Sequence, residues 1–249
     1  MSDFPRLAST RRQFLTSAAA LSFVTIASQT YAQTISGALP WHPFAGDPPQ
    51  PSLAGWYFFK PEEARVIEAI VDRLIPADDL SVGGRDAGCA AFIDRQLAGS
   101  FGNSSRLYTQ GPYAKGTPTQ GYQGEATPAM RYRAGLAAID AYLRKNKNDR
   151  GFAQLNAQEQ DDFLKTLEAG KVDLGAIDGK TLFDLFLQNT MEGFFADPVY
   201  GGNRDMVSWK MIGFPGARYD YRDHITKHNQ RYPLGPVSIT GAPDWSHKG

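Results

Sequence analysis

The chain has 249 residues, with 26 basic and 26 acidic side chains and a formal net charge of zero. That length supports one large domain or two small ones with a sizeable core, and the balanced charge gives no reason to expect nucleic acid as a partner. A single cysteine, Cys89, excludes an intramolecular disulfide and any thiolate cluster supplied by this chain alone.

The N-terminal stretch STRRQFLTSAAALSFVTIASQTYAQ, Ser9 to Gln33, sets Arg11 and Arg12 ahead of Phe14 and Leu15. A modest apolar run follows, then Thr30-Tyr31-Ala32. The pattern predicts a twin-arginine export signal over 1–32, cut near Ala32, and a periplasmic mature protein. The apolar run is too short and too rich in Ser, Thr and Ala to predict a membrane span. Twin-arginine export carries proteins that are already folded, often with a cofactor or a partner bound. The signal therefore suits either a cofactor enzyme or the escort of one.

Residues 33–59 (ALPWHPFAGDPPQPSLAGWYFF within them) are rich in Pro, Gly and aromatics, without a period, and read as an extended arm with aromatic anchors. A helical domain is expected over 60–228. Its first helix opens at Pro61 with Glu62 and Glu63, carries an Ile67, Ile70, Val71, Leu74 stripe, and stops before Pro76. CAAFIDRQLAG is a second, shorter helix from Cys89, whose neighbours Ala90, Ala91 and Phe92 predict burial of the thiol. The stretch 101–128 is glycine-rich and long for a structureless loop in a compact domain. Tyr108, Tyr113 and Tyr122 give it contact area for a partner.

Three further helices are expected: one from Ala129, one over 157–169, and one within 178–197. Asn156 with Glu159 forms a capping box for the second, and Asp178 caps the third. The third is apolar on more than one face, through Leu182, Phe183, Leu185, Phe186, Leu187, Phe194 and Phe195. Such a helix sits at the centre of a fold or under a partner. A polar end helix is expected around YDYRDHITKHNQRYP, and residues 229–249 form a tail. Strand signals are sparse. The class is mainly α, with long irregular loops and arms suited to wrapping a partner.

No strand–GxGxxG–helix, GxxxxGK[ST] or GxSxG pattern occurs. His224 and His228 are four apart, with Asp220 one turn earlier, so on a helix they would share a face and could hold a metal. Glu192, Asp197, Arg204 and Asp205 are the nearest acid/base candidates. They fall in or beside DPVYGGNRDMVSWKMIGFPGA, residues 197–217. There Gly201 and Gly202 permit a special backbone, and Asn203 and Asp205 can tie it down. Tyr200, Arg204, Trp209, Met211, Ile212 and Phe214 then offer a recognition surface that ends at Pro215-Gly216. Its composition points more to recognition than to a reaction centre.

This segment resembles the signature of the gluconate 2-dehydrogenase subunit 3 family. The resemblance extends to the twin-arginine leader, the LIPAD element at 74–78, the QGPYAKGTPTQGYQ loop at 110–123 and LFLQNTMEGFFADP at 185–198. It implies a small subunit of an FAD-dependent dehydrogenase complex that oxidises sugars or sugar acids such as gluconate, glucose or fructose. The flavin would belong to a large subunit of the glucose–methanol–choline type. Haem c would belong to a multihaem cytochrome subunit, common in such complexes, that takes the electrons to the membrane quinone pool, and the complex would hold this chain at the inner membrane. This chain would then carry no cofactor and no catalytic residue, and would serve maturation, stability and export through the twin-arginine translocase. The 33–59 arm, Tyr108, Tyr113 and Tyr122 of the 101–128 loop, and the 197–217 segment with Tyr200, Asn203, Arg204, Asp205, Trp209, Met211 and Phe214 would contact the large chain. Two other readings remain open: a stand-alone periplasmic oxidoreductase using Glu192, Asp197 and Asp205, and a metal-binding protein using His224 and His228.

Overall fold

The computed structural model describes residues 55–239 other than 106, 108–110, 115, 219 and 220. The segment read as an export signal, with Arg11 and Arg12, most of the 33–59 arm, Tyr108 and Asp220 lie outside the described residues. Among the described residues six α-helices follow in order: α1 (Pro61–Leu74), α2 (Cys89–Ala98), α3 (Pro128–Asn146), α4 (Ala157–Glu168), α5 (Gly179–Phe195) and α6 (Val207–Ile212). Among the described residues the only extended pairing is two isolated bridges, Leu174 with Ile177 and Gly216 with Val237. The mainly helical class read from the sequence is the class observed.

The helix starts follow local chemistry. In α1 the Glu63 carboxylate accepts the Lys60 N–H at 2.8 Å, and Ala64, Ile67, Ile70 and Val71 are buried on one face. In α4 the Asn156 side chain accepts the Glu159 N–H at 2.9 Å while the Glu159 carboxylate accepts the Asn156 N–H at 3.1 Å. The reciprocal pair satisfies two donors that a helix end leaves free. Arg150 beside it holds the Glu159 carboxyl below its ordinary range, with the Asn156 N–H helping. Asp178 caps α5 by accepting the Thr181 N–H at 2.6 Å.

Helix α5 is the axis of the fold. It packs against α1, α2, α3, α4 and α6, which is why it is apolar on several faces. Leu182, Phe183, Leu185, Phe186 and Phe194 are all buried. Aromatic rings link the layers: Phe59 to Tyr132 at 6.0 Å and Tyr132 to Phe186 at 5.2 Å between centroids. Cys89 is fully buried at the start of α2, as its neighbours predicted.

The last residues of the arm are anchored by a residue that the sequence places simply within a core-facing helix. Asp94, fully buried in α2, accepts the backbone N–H groups of Tyr57, Phe58 and Phe59 at 2.8, 2.9 and 2.9 Å. A buried carboxylate is costly unless its lone pairs are met, and three charge-assisted bonds meet them. From α3, Arg133 donates to the Glu63 carboxylate and the Phe58 carbonyl, and its guanidinium lies 4.1 Å over the Phe58 ring.

Two other segments depart from expectation. The 101–128 stretch is not structureless: it contains a turn at 101–105 and a 3-10 turn at Pro118–Gln120. The end helix expected around His224 and His228 is absent, with only a 3-10 turn at Arg222–His224. That segment lacks an apolar stripe to pack, and a short helix gains little stability without one. The two histidines therefore do not stand in helical register.

Candidate partner-docking surface

After α5 the chain doubles back across the helix end. Asp197 opens a 3-10 turn at Pro198–Tyr200 by accepting the Val199 N–H at 3.0 Å. Gly201 takes φ +98°, and Gly202 then passes so close to α5 that a Cβ there would lie 2.1 Å from the Gly193 carbonyl oxygen. Only glycine fits such an approach.

Asn203 follows, fully buried with φ 45°. Its Nδ2 donates to the Ala196 carbonyl at 2.9 Å, and its Oδ1 accepts from Ser208 N–H at 3.0 Å and Ser208 Oγ at 2.8 Å. Asp205 and Met206 also take left-handed φ values, 56° and 55°. Such residues cost of order 1–3 kcal/mol each and persist only where their surroundings over-determine them. Here the Asn203 clamp and the Arg204 N–H bond to the Ala87 carbonyl, at 3.0 Å, supply that constraint. The Asp205 side chain itself points to no tie: no partner holds its carboxylate among the described residues.

The six-residue α6 places Trp209 inward, 5% exposed, with Nε1 donating to the Phe195 carbonyl at 2.9 Å. The Phe214 ring packs edge-on against it at 5.1 Å. On the outside, Ile212 is 57% and Phe214 44% exposed, with Tyr200, Arg204, Asp205 and Met211 also reaching solvent. The sequence grouped Asn203 and Trp209 with these. The structure sets both beneath, as the braces that keep the outer residues in place. Phe195 and Met191, on the last turns of α5, are also exposed apolar residues. Phe195 was legible only as one of several helix apolars. Gly193, an isolated glycine inside an apolar helix, is a second sequence signal of a close backbone approach, beside the Gly201-Gly202 pair.

Asp197 has a second task. Its carboxylate accepts Ser238 Oγ and the Ile239 N–H, both at 2.7 Å. Beside it, the Ala217 N–H donates to the Val237 carbonyl at 2.6 Å, and the Val237 N–H donates to the Pro215 carbonyl at 3.2 Å. Residues 237–239, read as part of a tail, are thereby sewn to the 197–217 segment.

The acid/base candidates occupy separate environments. Glu192 is exposed and accepts from Gln188 Nε2 at 2.8 Å. Asp197 is buried and committed to the bonds above. Asp205 and Arg204 face solvent. Among the described residues no three His, Cys, Asp or Glu side chains gather as metal ligands.

Tyr113 and Tyr122 lie elsewhere, beside the first half of α5. With Arg131, Thr181, Asp184 and Gln188 they line a groove of about 700 Å³. The Arg131 guanidinium stacks 4.2 Å over the Tyr122 ring and donates to the Thr181 carbonyl at 3.1 Å. Its burial pulls its pKa below the ordinary value, with Tyr122 and Tyr132 opposing. The two sets of candidate residues are thus associated with different stretches of α5. Among the described residues no helix is long and apolar enough to cross a membrane.

The family model for gluconate 2-dehydrogenase subunit 3 matches residues 61–216. The match begins at the first residue of α1 and ends at the glycine that bridges to Val237. No curated protein and no solved structure matches the chain.

Proposed function

The chain belongs to the gluconate 2-dehydrogenase subunit 3 family, and from that premise we propose that it is the non-catalytic small subunit of a periplasmic FAD-dependent dehydrogenase complex. It folds with a large flavoprotein subunit of the glucose–methanol–choline type, stabilises it, and carries it through the twin-arginine translocase on the signal containing Arg11 and Arg12. FAD resides on the large subunit, and haem c on a cytochrome subunit that holds the complex at the inner membrane. The substrate is a sugar or a sugar acid.

One observation carries this reading. The 197–217 segment spends its buried residues, Gly202, Asn203 and Trp209, on holding a rigid exterior of Tyr200, Met211, Ile212 and Phe214. Rigid aromatic and apolar side chains over a fixed backbone give contact area at low entropic cost, as a lasting subunit interface requires. Tyr113 and Tyr122 supply a second contact along the same helix.

The test is recovery of the protein, tagged at its C-terminus, from the periplasm of its native host, with an absorption spectrum of the eluate. A co-purifying large chain with a flavin spectrum supports the escort role. A lone chain with its own chromophore or bound metal overturns it and makes Glu192, Asp205, His224 and His228 the residues to substitute first.

A further inference from the structure

The C-terminal segment beyond residue 216 holds a cluster that the docking surface does not use. Residues 218–231 contain Arg218, Arg222, Lys227 and Arg231 with His224 and His228, against Asp220 and Asp223, in a chain of zero net charge. Three rings give the segment its shape. His224 packs on Tyr232 at 4.9 Å and Tyr221 on Tyr232 at 5.6 Å between centroids. Arg218 lies 5.7 Å over the same Tyr232 ring and donates to the Gly235 carbonyl at 2.9 Å.

Against this ring cluster stands a pocket of about 320 Å³, walled by His224, Lys227, Gln230, Arg231 and Tyr232. Lys227 and Arg231 are exposed, and among the described residues neither has an ion-pair partner. The pocket therefore presents an ammonium, a guanidinium fork, an imidazole and an amide, all able to donate. A phosphate group answers that set, accepting from the fork and from the point charge together. The volume corresponds to about ten waters, more than a bare ion fills. Ile225 and Leu234, adjacent to pocket residues in the chain, are 65% and 50% exposed. A free anion would leave both unused, whereas the boundary between headgroups and acyl chains would receive them.

We propose that this pocket binds the phosphate of an anionic phospholipid headgroup and gives the chain a membrane contact of its own. The site lies outside the family-matched stretch, which ends at 216, and the inference does not rest on the escort role.

Co-sedimentation of the full chain with phosphatidylglycerol-containing vesicles, against pure phosphatidylcholine vesicles, tests it. The expected result is selective binding to the anionic vesicles, released by 0.5 M salt. Joint Lys227→Gln and Arg231→Gln substitution should weaken binding by about thirtyfold, the effect of removing two cations from an anionic surface. Ile225→Ser should weaken it with the charges intact, and Lys227→Arg should retain it. An unchanged Tm checks that these exposed variants fold. Equal binding to both vesicle types, or a doubly substituted chain within twofold of the parent, overturns the proposal. So does inorganic phosphate that raises the Tm of the parent alone while vesicles are not discriminated, which would make the ligand a free anion. Reduced recovery of a partner protein with unchanged vesicle binding would assign the patch to protein docking instead.

Discussion

Gly193 in α5 and Gly202 in the returning segment meet backbone to backbone, and a side chain at 202 would begin 2.1 Å from the Gly193 carbonyl oxygen and 2.9 Å from its carbon. Neither atom can swing aside, because both are main chain. Gly202→Ala should therefore cost about 3 kcal/mol of stability, at the upper end of overpacking. Gly213→Ala is the control: φ is +72° with nothing within 4 Å of an added Cβ, so only the left-handed backbone penalty of about 1–2 kcal/mol applies. Urea unfolding of both variants gives the comparison, and equal losses would contradict the contact.

Asp94 is the sole described acceptor for the N–H groups of Tyr57, Phe58 and Phe59. Asp94→Ala strands three donors and should lose about 4 kcal/mol, while Asp94→Asn, which keeps one acceptor oxygen, should lose about half as much. Limited proteolysis should then cut near residues 55–60 well before the helices. A parent-like digestion pattern in Asp94→Ala would show that the arm is held by something else.

Cys89 supplies a test by pH. Burial pushes its thiol up to about 12, against the smaller opposing pulls of its backbone hydrogen bond and of Arg204. In the unfolded chain the thiol titrates near pH ~8.5. The folded state holds the proton more tightly, so this contribution is complete below that pH. It is lost as pH rises toward the folded value, at about 1.4 kcal/mol per pH unit. Stability of the parent minus that of Cys89→Ala should fall between pH 9 and 10.5, and parallel curves would refute the shift. At pH 8 a thiol reagent should label Cys89 only after unfolding.

Met211→Ser and Ile212→Ser change exposed side chains and should alter stability by less than about 1 kcal/mol. They should nevertheless lower the amount of large subunit recovered, with turnover per assembled flavin unchanged. Trp209→Ala removes a buried brace and should lose about 3–5 kcal/mol, lowering recovery through folding. Normal recovery with depressed turnover in the Ser variants would place the segment near the chemistry rather than at a docking face.

The helices were legible because their signals are local. Pro61, the Asn156–Glu159 box and Asp178 act within a turn of where they sit, and the many-sided apolar pattern of 182–195 announced the central helix. Asp94 was not legible, since the N–H groups it holds lie 35 to 37 residues earlier and a lone Asp in a helix gives no hint of them. Asn203 was legible as a tie for the backbone, but composition could not tell which large apolar residues of 197–217 turn inward. Trp209 and Phe214 are both large aromatics, and only the packing under α5 decides which turns inward. The spacing of His224 and His228 suggested a shared helical face, yet spacing means nothing without a helix, and no apolar stripe holds one there.

Asp94 fastens residues 57–59, far from it in sequence, by their main-chain N–H groups, while Asp197 holds Ser238 and Ile239 by one hydroxyl and one main-chain N–H. The bonds to Asp94 do not themselves read side chains and refuse only proline, which has no N–H to offer. At Tyr57, 60% exposed, the clasp leaves the side chain room to vary, whereas Phe58 and Phe59 are held by their rings as well, Phe59 in the core against Tyr132 and Phe58 under Arg133.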